Sequence, residues 1–159
     1  MAIAPNTTFV SGAVLTAAQQ NAFGFGVVAL AKSTATYTLT TSAAISTGMT
    51  VTFTAIANRN YKITYTEPTV QTPNITNGYA VTAIKPTDAA GTTLINGILQ
   101  TPVAVQLNGT ITLVYIGTFA AGSTTIVGTS LASSTSAGPT LARVATSPAF
   151  LLVEDIGPA

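Results

Sequence analysis

The chain has 159 residues and a mass of 16.0 kDa, with five basic and four acidic side chains, a net charge of +1, and neither cysteine nor histidine. That length fits one domain with a core that needs no disulfide or structural metal, and the missing residue types exclude a thiol nucleophile, a histidine base and the commonest metal ligand. A charged fraction of 6%, against about 25% in ordinary domains, also excludes nucleic-acid binding through clustered Lys and Arg. Although 47% of the residues are hydrophobic, no stretch approaches the ~20 apolar residues that cross a bilayer. The best candidate, Ala22 to Ala31, is short and holds two glycines. Met1 to Val10 lacks the charged and apolar regions of a secretory signal, so no export route is expected.

In chain order, the first segment is an arm. Thr16-Ala17-Ala18-Gln19 has the T-x-x-Q form of a capping box, and predicts a short helix through about Phe23. Gly24 supplies the left-handed cap that ends it. The arm is taken as residues 1–33, for anchoring and oligomer contacts, with Val14, Leu15 and Phe23 as its contact residues. The rest, 34–159, is read as a β-sandwich domain. Gly24-Phe25-Gly26-Val27-Val28-Ala29 matches a dinucleotide fingerprint in letters only. It follows a helix signal instead of a strand, and no acid lies near Thr47 to hold a ribose. No cofactor is expected.

From Thr34 the pattern is strands and turns. Strands are predicted near Ala35–Thr41, Met49–Ala57, Tyr61–Thr66, Gly78–Lys85, Val103–Leu107, Thr110–Ile116, Thr124–Val127 and Phe150–Val153. Met49, Val51, Phe53 and Ala55 share one face of a strand and Thr50, Thr52 and Thr54 the other, because side chains alternate with period two. Tyr61, Ile63 and Tyr65 repeat the pattern after Asn58-Arg59-Asn60, so Met49 to Thr72 reads as a hairpin with Phe53, Tyr61 and Tyr65 in the core or between subunits. Threonine suits the outer face, since its branched β-carbon fits the pleat and its hydroxyl stays wet. Turns are expected at Thr47-Gly48, Asn77-Gly78, Asn96-Gly97, Asn108-Gly109 and Ala121-Gly122. Asn108-Gly109 is the strongest hairpin signal, set between Val103-Val105-Leu107 and Ile111-Leu113-Tyr115. Many short strands with no helices between them point to an antiparallel sandwich of jelly-roll type.

The residues with chemistry are few. Arg59, between two asparagines that tolerate tight turns, is expected at a loop tip, as a solvated charge or as a contact for a partner. Glu154-Asp155 is the single acidic pair. Adjacent residues on a strand point to opposite faces, so they do not converge on a metal, and they read as a solvated terminus or an inter-subunit contact. Three Asn-x-Thr triplets begin at Asn6, Asn74 and Asn108, without a secretory route to make them glycosylation sites. Serine and threonine abound, but a nucleophilic hydroxyl needs a base, and no spacing ties Lys32, Lys62 or Lys85 to one of them. Ala132-Ser133-Ser134-Thr135-Ser136-Ala137-Gly138 reads as a loop.

Gly12-Ala13-Val14-Leu15-Thr16-Ala17-Ala18-Gln19-Gln20-Asn21 resembles the G-x-x-L-T-A-A-x-x-N segment of small virion proteins of tailed bacteriophages with actinobacterial hosts. The hairpin Val51 to Gln71, with its F-T-A-x-A-x-R-x-Y-x-I-T-Y core, and the ending Thr146 to Pro158 look like the same group. The resemblance covers under half the chain and brings no catalytic residues. It implies a non-enzymatic structural protein, assembled into a virion in the host cytoplasm, associating with itself as a trimer and with tail or major capsid proteins, and with neither nucleic acid nor membrane. A minor tail or fibre component is the first expectation. A capsid decoration protein and a glycan-binding adhesin are the alternatives. With four acids and no tryptophan, the chain is a poor candidate for a glycan hydrolase or a sugar site.

Overall fold

A computed structural model describes residues 26–159. Ten strands form two antiparallel sheets. The first places β1 (Gly26–Ser33) beside β10 (Ala149–Pro158), and β10 beside the long β4 (Arg59–Gln71). The other edge of β4 pairs with β7 (Asn108–Thr118), while its far end meets the two-residue strand β9 (Thr140–Leu141), which continues to β2 (Tyr37–Thr38). The second sheet runs β3 (Ala44–Ala55), β8 (Gly122–Ala132), β5 (Tyr79–Pro86) and β6 (Ile95–Gln100). From β3 onward the chain crosses repeatedly between the sheets, and β5–β6 is the one pair of consecutive strands hydrogen-bonded to each other among the described strands. This is the jelly-roll sandwich that the strand pattern predicts.

The core is the space between the sheets. Met49, Val51, Phe53 and Ala55 of β3 face Tyr61, Ile63 and Tyr65 of β4, with Ile84, Leu113, Ile126, Leu151 and Val153 completing the cluster. A smaller group, Leu39, Val70, Ala80, Ala132 and Leu141, fills one end. Phe53, Tyr61 and Tyr65 are thus core, and Thr50, Thr52 and Thr54 lie on the exposed face, as the alternation requires.

Three expectations are corrected. Met49 to Thr72 is an arch and not a hairpin: β3 pairs with β8, β4 pairs with β10 and β7, and the turn at Ile56-Ala57-Asn58 carries the chain from one sheet to the other. Asn58 takes the left-handed conformation there, at φ 59°. Val103–Leu107 is not a strand. Its polar groups bond locally and to Thr72, whose hydroxyl accepts from Leu107 N at 2.9 Å and whose own N–H donates to Leu107 O at 2.9 Å. Asn108-Gly109 then opens β7 opposite Gln71 and Val70 instead of turning a hairpin. Finally, the boundary after residue 33 falls inside the sandwich. β1 pairs with β10 from Gly26 to Ser33, so the sheet already includes residue 26.

The other turn signals divide. Asn77-Gly78 precedes β5 and Ala121-Gly122 leads from the β7–β8 turn into β8, while Asn96-Gly97 sits inside β6. Thr47-Gly48 forms a bulge in β3, where the register with β8 shifts and Gly48 has φ 75°. Gly26 opens a strand, which leaves the fingerprint at Gly24 to Ala29 without its helix. The Thr16–Phe23 helix and the arm residues Val14, Leu15 and Phe23 lie outside the described residues.

Candidate functional site

Charged residues that the sequence places at tips are drawn into the core by strand parity. β4 turns residues 59, 61, 63, 65 and 67 inward, so Arg59 and Glu67 share a face with Tyr61, Ile63 and Tyr65. Arg59 is therefore neither a solvated tip nor an available partner contact. It is 5% exposed, with Nε 2.5 Å from Asp155 Oδ2 and Nη2 2.8 Å from Oδ1, a two-pronged pair. Gly157 N donates to the same carboxylate at 3.0 Å. The acidic dipeptide splits across the strand as alternation demands: Asp155 points inward to Arg59, and Glu154 points outward to Lys62, Nζ to Oε2 at 2.9 Å. Instead of forming a solvated terminus, both carboxylates bind β10 to β4.

At the other end of β4 lies a second buried pair. Arg143 Nη2 is 2.5 Å from Glu67 Oε1 and Nε 3.0 Å from Oε2, with both side chains fully buried. Arg143 Nη1 also donates to Ala35 O at 3.3 Å. The Tyr65 hydroxyl donates to the Glu67 carboxylate and lies 3.1 Å from Ser46 Oγ, which pairs with Ser130 Oγ at 2.9 Å. The network joins both sheets through β4, β3 and β8. Gly128 makes room for the ring: a β-carbon there would stand 2.7 Å from Tyr65 Cζ. Burial, and then the charge of Glu67, push the Tyr65 phenol far above its ordinary value of 10.0. It stays protonated at neutral pH and serves as a donor that ties the sheets, not as a base or nucleophile.

The fourth acid, Asp88, holds its own loop, its Oδ1 accepting from Ala90 N at 2.8 Å and Gly91 N at 2.9 Å. Lys85 Nζ donates to Ala89 O at 2.8 Å. Each of the four acidic side chains is thus engaged by another group of the same chain. Among the described residues no three acids gather as a metal cage.

Among the described residues, the outer face of the first sheet carries several exposed aliphatic side chains. Pairing registers align Leu30, Leu152, Thr64 and Val114 in one row across β1, β10, β4 and β7, and Val27, Glu154, Lys62 and Ile116 in the next. Leu30 is 58% exposed, Val27 60%, Val114 45% and Ile116 56%. Sequence reasoning missed this face, though a signal was present: Val27-Val28-Ala29-Leu30-Ala31, Leu113-Val114-Tyr115-Ile116 and Phe150-Leu151-Leu152-Val153 are unbroken apolar runs. Such runs mark strands covered on both sides, whereas β3 alternates with threonine.

No family model and no curated protein matches the chain. Among solved structures it is similar in fold to the Eiger TNF of S. frugiperda, at 8% sequence identity over 84% of this chain and 94% of that chain, with a TM-score of 0.50. The likeness is one of fold: an antiparallel two-sheet β-sandwich.

Proposed function

We propose that the chain is a non-enzymatic structural protein of a phage virion, an oligomeric β-sandwich that serves as a minor tail or fibre component, assembled in the host cytoplasm as a trimer. The observation that carries the structural reading is the engagement of all four carboxylates, three in ion pairs and one in a loop cap, together with the absence of histidine and cysteine. General acid–base chemistry needs a group within reach of a substrate. Here such groups hold strands together. The virion assignment is supported by the resemblance of residues 12–21, 51–71 and 146–158, and the oligomer by a surface with few charges to keep a lone domain dispersed.

Quantitative mass spectrometry of purified particles from a host carrying this sequence tests the proposal. A tail or fibre component should appear in a handful to tens of copies per particle. Hundreds of copies would move the protein to the capsid surface as a decoration protein. Its absence from particles that contain their other structural proteins would overturn the virion reading.

A further inference from the structure

We infer that the core binds one water molecule between β5 and β8, held by the hydroxyls of Thr82 and Ser130 and completing a hydrogen-bond chain that runs through both sheets to Arg143. Thr82 points inward, since Ala80 and Ile84, two positions away on either side, are core residues. It is 1% exposed, and its Oγ1 is the one buried side-chain nitrogen or oxygen among the described residues that no protein group bonds. A buried hydroxyl without a partner is costly, and buried polar groups in folded proteins are met by protein or by ordered water. A valine would fill the same space without a polar atom to satisfy.

The hydroxyls beside Thr82 fix the direction of every hydrogen. The Tyr65 hydroxyl has one hydrogen and gives it to Glu67. Across the 3.1 Å between Tyr65 and Ser46 the donor is therefore Ser46, and across the 2.9 Å between Ser46 and Ser130 it is Ser130. All three hydrogens run toward the carboxylate, which Arg143 meets with two donors of its own. Ser130 Oγ ends this chain as an acceptor without a donor from it, and Thr82, its register partner between β5 and β8, holds a hydrogen without an acceptor. The two do not bond directly. The bond from Ser133 N to Tyr79 O at 2.9 Å marks 79 and 133 as a hydrogen-bonded pair, so alternation makes 82 and 130 a non-hydrogen-bonded one, with β-carbons about 4.5–5.5 Å apart. One water spans that distance: it accepts from Thr82 and donates to Ser130, and two bonds of ~2.8 Å reach across as much as about 5.5 Å. The flanking pair Ala80 and Ala132 is small, and a roomy position with two polar partners is the kind that buried waters occupy.

A high-resolution crystal structure of the full chain tests this. A water within hydrogen-bond reach of both Thr82 Oγ1 and Ser130 Oγ is the expected result, and a direct Thr82–Ser130 bond or a dry contact overturns the inference. Urea unfolding gives an independent test. Thr82→Val keeps the shape and removes the hydroxyl, so the water loses a partner and the unfolding constant should rise about tenfold. For an orphaned hydroxyl the same change relieves a cost, and an unchanged or lower unfolding constant counts against the water. Thr82→Ser retains the hydroxyl and should retain the water. Solution NMR separates the water from a packing effect: an NOE from a long-lived water to the Ser130 β-protons should appear in wild type and in Thr82→Ser, and vanish in Thr82→Val. Should Thr82→Val fail to fold, wild type still decides, because no long-lived water beside Ser130 there would remove the inference.

Discussion

Arg59 and Asp155 meet because two separate strands bring inward parity to the same end of the core. Removing one member of such a pair leaves the other charged, buried and short of partners, which is costlier than the pair was worth. Arg59→Ala should therefore destabilise the protein by about 3–5 kcal/mol, read from the urea midpoint. A variant within 0.5 kcal/mol of wild type, roughly the range of neutral surface changes, would return Arg59 to the solvated tip that its asparagine neighbours suggest. Tyr65 makes a prediction of a different kind. Above pH 10 the unfolded chain releases the phenolic proton while the folded chain retains it, so this group's contribution is fully present below pH 10 and is lost as pH rises. The loss runs at up to about 1.4 kcal/mol per pH unit. Tyr65→Phe should cost about 1.5–3 kcal/mol at neutral pH through the lost hydrogen bond to a charged group, and should flatten the fall of stability between pH 10 and 12. Equal alkaline slopes in the two proteins would show that Tyr65 is not held protonated by the fold.

At the scale of the element, β3 and β4 show what alternation carries and what it leaves open. Their inward residues are those the period of two selects, and Phe53 packs at 5.0 Å from Tyr61 and 6.0 Å from Phe119 between ring centroids. Phe53→Ala should lower stability by about 3–5 kcal/mol, as a buried aromatic replaced by a cavity. Thr52→Ser keeps the hydroxyl that meets Thr125 and should stay within about 1 kcal/mol on an exposed strand face. Thermal melts of the pair test the register, because a one-residue slip would exchange the two effects. Neighbouring strands in sequence are nevertheless not neighbours in the sheet here. The turn at Asn58 is short enough for a hairpin, but the inward faces of β3 and β4 oppose each other across the core, and their backbone groups bond to β8, β10 and β7.

For the whole molecule, composition and period alone determined an all-β sandwich, the inward residues of β3 and of β4 from Tyr61 to Tyr65, its threonine-faced strand and its lack of histidine and cysteine. Those properties are local: a residue's side of the strand follows from its parity, and a missing histidine is missing in any fold. Partner choice among strands was decided only by the tertiary structure. The joining of β1 to β10, residues from opposite ends of the chain, depends on how ten strands close around one core, and no window of sequence holds that information. Arg59 lies between these cases. Its parity with Tyr61 was legible, but the inward reading required a buried anion to receive it, and Asp155 is 96 residues away along the chain. The outer face of the first sheet follows the same rule: its apolar runs can be read one strand at a time, yet they become a surface only when pairing sets Leu30, Leu152, Thr64 and Val114 in one row.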